Sequence, residues 1–357
     1  MINRCFVRTA RLALLALLAL LPAALAACGA DPITGGGATY ARMEVIVNSI
    51  SNTLTLVSPD SVAPTGRGVN LGAQGSPVSV AARGAYAVVP MGTYPFAAVV
   101  DLRAGTVSNV ALPANSGATG AAFLNDSVAL VGNPGRNTVT PVNVRTGTAG
   151  AEIAVGTYPQ ALAAGNGNVY VLNANLVNFS PAGPGSVTVI GPNGAVGSTI
   201  ALTGINPTFG VVVGNTLVVV NAGHFGQGDG TVSLVNLATA KEDQLITGFG
   251  EFPGSVDVGP DGMIYVGVYG TGIVSYNVNT GQFVRGLNNP VVPGGAPPVS
   301  ALAFDYAGRM HTLAPGNCTP GTPGKEYGLP APFTSTERIV ATGVCPFAIA
   351  FATVPLS

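Results

Sequence analysis

The sequence predicts an all-β chain folded as a seven-bladed β-propeller, and three observations lead there. A short motif, usually led by proline and running into a small apolar strand, occurs seven times, starting at Pro77, Ala118, Pro159, Pro207, Pro253, Pro298 and Pro346. The starts lie 41, 41, 48, 46, 45 and 48 residues apart, and a period of roughly 40–50 residues holding several strands marks a propeller. Glycine (50) and proline (28) are abundant beside a 47% hydrophobic fraction, the balance expected where many short apolar strands need many turns.

The fourth unit shows the blade most clearly. Phe209–Val213 reads as the inner strand (A) and Gly214-Asn215 as a hairpin turn. Thr216–Val220 reads as strand B, Asn221–Gly230 as a loop, Thr231–Asn236 as an alternating strand C, and Asp243–Ile246 as a short outer strand D. The fifth unit follows suit, with Gly259-Pro260-Asp261-Gly262 turning into Met263–Val268 and then Ile273–Val278. Inner strands carry Ala, Gly and Ser because seven of them converge on one axis. The chain enters with strands B, C and D and ends with an A strand from Pro346, so the two ends are expected to complete one closing blade and leave no open edge.

These units resemble the YVTN family of propeller repeats: a Pro-led inner strand, Val-Tyr-Val-x-Asn, a loop, a Thr/Ser-Val-x-Val-Ile strand and a Thr-Gly turn. The matching segments are Val169-Tyr170-Val171-Leu172-Asn173 with Gly185–Ile190, Val218–Asn221 with Thr231–Val235, and Val45–Asn48 with Asn52–Val57. The pattern runs over residues 43–354, is degenerate in the second unit and is weakest in the sixth. The resemblance implies an architecture and brings no catalytic residues with it.

Ahead of the repeats, Arg4, Arg8 and Arg11 precede an apolar run from Leu12 to Leu21, too short to span a bilayer comfortably. Leu25-Ala26-Ala27-Cys28 follows and resembles a bacterial lipobox. That resemblance implies a lipoprotein signal peptide over 1–27, diacylglycerol on the Cys28 thiol, and a lipid anchor in the cell envelope. Gly29 in place of aspartate implies the outer membrane where two membranes exist. Residues 28–40 read as a flexible tether and 41–357 as the propeller, with no room for a second domain.

Charged residues are only 8% of the chain and net charge is −1; with no basic stripe, nucleic acid is not an expected partner. Cys318 and Cys345 are expected to form a disulfide in an oxidising compartment. They fall in the sixth B–C loop and in the D–A crossing into the closing strand. Both belong to one face, and the bond would be worth about 2–4 kcal/mol.

That face also carries long B–C loops, Asn173–Gly185, Asn221–Gly230 and Ala314–Pro332. The candidate binding residues there are Asn173, Asn175, Phe179, Asn221, His224, Phe225, Tyr269 and Tyr327; Asn and Gly are also simply favoured in turns. His224 and Asp229 are the candidate acid–base pair. His311 is assigned to a B strand of another blade, and no His-x-His or paired-acid spacing points to a metal. Asp257 and Asp305 lie in or just after inner strands without the oxygen ligands calcium needs, and no phosphate loop or nucleophile elbow is present. No cofactor is expected.

Three functions fit. The first is a binding module holding an envelope protein, glycan or small ligand on the loop-rich face. The second is a lactonase- or streptogramin-lyase-like enzyme using His224, with Asp229 and an arginine such as Arg136 converging on it. The third is a scaffold subunit of an envelope assembly. Any such function rests on analogy to the fold.

Overall fold

A computed structural model describes residues 40–295 and 298–356. The expected signal peptide, Cys28 and the expected tether up to Thr39 lie outside the described residues. The rest forms seven sheets of antiparallel strands, each sheet a blade. Blade four pairs Pro207–Val213, Thr216–Asn221, Thr231–Asn236 and Lys241–Thr247 in order, as its sequence predicts, with the outer strand a few residues longer. Blade two splits its outer strand into Thr148–Ala149 and Ile153–Ala154, both against Thr138–Asn143.

The closing blade is the composite expected. Tyr40–Asn48 lies between Thr53–Val57 and the C-terminal Pro346–Pro355, with Val47 opposite Ala348 and Tyr40 opposite Pro355. Arg67–Asn70 completes it as the outer strand.

The core is a set of apolar layers between neighbouring blades. Val45, Leu54, Leu56, Val89, Ala98 and Val100 fill one such layer between the closing blade and blade one. Each blade buries both sheet faces, so its middle strands are almost uninterrupted Val, Ile, Leu and Ala.

One difference from the sequence reading concerns blade six. Lys325–Leu329 is its third strand, so the preceding B–C loop stops short of Lys325 instead of running to Pro332. The segment Lys-Glu-Tyr-Gly-Leu does not read as a buried strand because Glu326, charged and fully buried, interrupts the apolar pattern.

Candidate functional site

B–C loops and D–A crossings meet on one face of the ring. The residue following a B strand donates its N–H to the crossing that enters its own blade. Ala174 binds the Tyr158 carbonyl at 2.9 Å, Ala222 that of Asn206 at 2.9 Å, Tyr269 that of Phe252 at 3.2 Å and Ser49 that of Cys345 at 2.9 Å. To aim those carbonyls, Tyr158, Asn206, Phe252 and Cys345 all take positive φ, between 56° and 60°. This conformation is unusual for bulky side chains, and here it follows from the crossing geometry. The Cys318–Cys345 disulfide is present and ties the sixth B–C loop to the crossing into the closing strand.

The structure separates the candidate residues into three groups. Asn173 and Asn221 are fully buried and do not face solvent. Each clamps strand C to strand B: Asn173 Nδ2 donates to Ser186 Oγ (3.1 Å) and Thr188 Oγ1 (3.0 Å), and Asn221 Nδ2 to Thr231 Oγ1 (3.1 Å) and Ser233 Oγ (2.8 Å). Asn48 and Asn133 repeat this clamp. Glycines in the crossings close over the amides. A Cβ on Gly156, Gly204 or Gly343 would stand within 2.7 Å of an atom of Asn173, Asn221 or Asn48 respectively. The asparagine of the repeat is therefore an architectural residue. Tyr327 is buried as well, in the core layer between blades five and six.

Asn175 is half-buried and its Nδ2 donates to the Pro184 carbonyl at 3.1 Å. It shapes the third B–C loop, where Leu176–Val177 and Ser180–Pro181 form a miniature hairpin.

The third group is exposed. Phe179 (73% exposed), Phe225 (53%) and Tyr269 (39%) stand on the loop-rich face of blades three, four and five, joined by Phe252 (41%). Phe179 stacks edge-on against Tyr158 with centroids 6.3 Å apart, and Phe225 lies 6.2 Å from Phe252. Burial raises the Tyr158 phenol above its usual range.

His224 and Asp229 do come together. Nδ1 lies 2.7 Å from Asp229 Oδ2, and Asp229 Oδ1 accepts the His224 backbone N–H at 2.8 Å. Partial burial raises the Asp229 carboxyl, but these bonds outweigh it and hold the group below the usual carboxylate range. The pair is solvent-exposed. Arg136 does not serve it: its Nε and Nη2 bind Glu152 at 2.8 and 2.7 Å.

Charge is distributed unequally between the two ends of the ring. The pairs Arg42–Asp60, Arg83–Asp126, Arg103–Asp101 and Arg309–Glu337 all lie at the A–B hairpins and C–D turns of the opposite face. The loop-rich face keeps Arg136–Glu152, His224–Asp229, Glu251 and Lys325.

Sequence reasoning missed the largest polar cluster. Glu44, His311, Glu326 and Arg338 are fully buried between the closing blade and blade six. Arg338 donates to Glu44 Oε2 at 2.6 Å and Glu326 Oε2 at 3.1 Å, and to the carbonyls of Ser58, Pro59 and Ser61. His311 donates through Nδ1 to Glu326 Oε1 at 2.9 Å and through Nε2 to Asp305 Oδ2 at 3.0 Å. Burial alone would lower the His311 pKa, but its bonds to Asp305, Glu326 and Glu44 outweigh that and push it up to about 10. Burial raises the Glu44 carboxyl, against the opposing pull of His311 and Arg338. Burial also acts to raise Asp305, but the His311 bond holds it below the ordinary range.

Among the described residues, Glu44, His311 and Glu326 are the one set whose ligand atoms lie within 4.8 Å of one another. Arg338 already bridges both carboxylates and both His311 nitrogens donate to carboxylates, so the set fits a resident pair of side-chain cations better than a metal ion. The signal available in the sequence was the presence of charged residues inside otherwise apolar strands of a chain with few charges.

No family model matches the chain, and no curated protein matches it. Solved structures do. A functionally unknown protein from Desulfotomaculum acetoxidans aligns with a TM-score of 0.61 at 15% identity, covering 87% of this chain and 98% of that one. A streptogramin B lyase aligns at 0.56 and 12% identity over 77% and 87%. Hydrazine synthase from Kuenenia stuttgartiensis aligns at 0.56 and 15% over 72% and 77%. At these identities the likeness establishes the propeller fold alone.

Proposed function

We propose that this propeller is a binding module of the bacterial envelope, held to the membrane by lipid on Cys28 and engaging its partner with the loop-rich face. The observation that carries the reading is a set of exposed aromatics, Phe179, Phe225, Phe252 and Tyr269, on the loops of three consecutive blades, on a face with few charges. Aromatic enrichment with charge depletion is the composition of an interface centre. The partner is then an envelope protein or glycan that presents an uncharged surface. Co-purification from membranes in mild detergent tests this, comparing the wild type with Phe179→Ser/Phe225→Ser and with Cys28→Ala. The expected result is a stoichiometric companion that the double variant loses while its melting temperature stays unchanged. A companion retained by the double variant, or none at all, sinks the reading.

The His224–Asp229 contact supports a second reading, a lyase- or hydrolase-type activity in which the exposed His224 ring acts as base. Turnover of a lactone or cyclic depsipeptide that His224→Gln abolishes would favour it over the binding module.

A further inference from the structure

Blades five and six part at their outer edges to leave a cavity of about 660 Å³, away from the loop-rich face's aromatics. Met263, Val284 and Val291 of blade five form one wall, and Pro332 and Phe333 of blade six form the other. The floor is an aromatic cluster in which Tyr265, Phe304 and Phe333 meet edge-to-face with centroids 5.1–5.5 Å apart. A volume in the range of small-molecule pockets, with rigid apolar walls, suits a ligand with a compact hydrocarbon body.

The polar groups facing this space are Asp261, Tyr265, Ser275, Arg285 and Thr334. Asp261 is already committed: Oδ1 accepts the Met263 N–H at 3.0 Å and Oδ2 accepts the Tyr265 hydroxyl at 2.7 Å. Arg285 is not. Every other arginine among the described residues has a carboxylate, carbonyl or hydroxyl partner for its guanidinium: Arg42, Arg67, Arg83, Arg103, Arg136, Arg145, Arg309 and Arg338. Arg285, half-buried on the outer strand Gln282–Arg285, has no hydrogen bond or ion pair with any described residue. Arg285 pairs with Ser275, and Ser275 with Tyr265, across adjacent strands. At about 5 Å per strand its backbone stands roughly 10 Å from that of Tyr265. The free cation therefore lies at the open edge of the cavity, while Asp261 is tied down at the hairpin below.

From this arrangement we propose that the groove between blades five and six is a second binding site, selective for a small molecule with an apolar body and one carboxylate. The guanidinium takes the carboxylate in a bidentate pair, the geometry for which arginine is preorganised. The hydrocarbon lies along Met263, Val291 and Phe333. Neither part suffices alone: a half-exposed ion pair is worth little in water, and the apolar wall by itself gives no directional selectivity.

The test is calorimetric titration of the purified protein with octanoate, 1-octanol and acetate, which separate body and charge. Octanoate is expected to bind saturably, with 1-octanol and acetate each weaker by about tenfold or more. Arg285→Gln is expected to weaken octanoate by about tenfold while leaving 1-octanol unchanged. Val284→Asp, placing a like charge on the exposed rim, gives a second loss of octanoate that does not depend on how the arginine variant folds. Octanoate binding unmoved by both variants, or absent up to about 10 mM, overturns the proposal. None of these outcomes depends on Phe179 or Phe225, so this site and the loop-rich face stand or fall separately.

Discussion

Replacing Arg338 by methionine is the sharpest test of how the ring is held shut. The guanidinium binds Glu44, which enters from the N-terminal strand, and Glu326 of the last full blade, at 2.6 and 3.1 Å. It also gathers the carbonyls of Ser58, Pro59 and Ser61 in the C–D turn of the closing blade, at 2.8–3.2 Å. Methionine keeps much of the volume but leaves Glu44 and Glu326 with only His311 as a cation, and His311 is already bonded to Asp305. Breaking a buried pair by removing one partner costs about 3–5 kcal/mol. Pro59 keeps its bond from Arg309 Nη1 at 2.6 Å, and water can reach a turn, so the carbonyls add little. The expected loss is about 4 kcal/mol, read as a fall in the urea midpoint without a change in slope. Adding Glu44→Gln to Arg338→Met removes one orphaned charge and should restore roughly half of it. A loss under about 1 kcal/mol, or no recovery in the double variant, would refute the view that these charges depend on one another.

The other predictions concern the same seam and the repeated clamp. Because the His311 pKa is raised to about 10, its stabilisation is full below its unfolded value near 6.5 and is lost as pH rises towards 10; Glu44, also raised, loses on the same side. Asp305 is lowered, so its contribution is present above about pH 4 and disappears below that. Melting temperature should therefore peak at mildly acidic pH and decline through the alkaline range, and His311→Gln should flatten the alkaline slope; a flat wild-type profile from neutral pH to 10 would contradict this. Replacing Glu44, His311, Glu326 and Arg338 together by apolar residues should cost much less than Arg338→Met alone, while size-exclusion chromatography after refolding shows more strand-exchanged oligomer; a purely monomeric product would argue against a role in directing closure. Reduction of Cys318–Cys345, which closes 27 residues, should lower stability by about 3.5 kcal/mol on the chain-entropy model, seen as a lower melting temperature with reductant. Gly204→Ala places a Cβ 2.1 Å from Asn221 Nδ2 and should cost about 1–3 kcal/mol, with a penalty clearly smaller in an Asn221→Ala background.

The ring, its closure and the disulfide were legible because each rests on short-range pattern. The Pro-led motif repeats at a near-constant interval, the terminal fragments are complementary, and the loops holding Cys318 and Cys345 follow from strand order. The site was less legible because exposure is a tertiary property. Asn173 and Phe179 stand in one loop six residues apart, yet the first is sealed under Gly156 and the second is the most exposed of the candidate aromatics. Tyr327 was assigned to a loop because Glu326 disguised its strand. The ion cluster was invisible for a simpler reason. Arg338 and Glu44 are 294 residues apart, and no local pattern says that a lone charge in one strand will meet another across the seam.

That seam has a chemistry found at no other blade junction among the described residues. Propeller blades are close to interchangeable: strands with one apolar pattern pack on neighbours with the same pattern, and mispairing costs little. The other junctions are apolar: that of blades four and five packs Val218, Val220, Val256, Val266 and Val268 with an aromatic group of Phe249, Tyr276 and Phe283. The junction of blades five and six carries a second aromatic group, Tyr265, Phe304 and Phe333. Among the described residues, only the junction of blade six with the closing blade is held by buried ion pairs, and there an unpaired partner is heavily penalised. A closing blade that failed to dock on blade six would leave Glu326, His311 and Arg338 without Glu44. Buried charge is a poor source of net stability but an effective bar to wrong partners. The bar stands where strands 294 residues apart must find each other, and a chain of near-repeats gains most from it there.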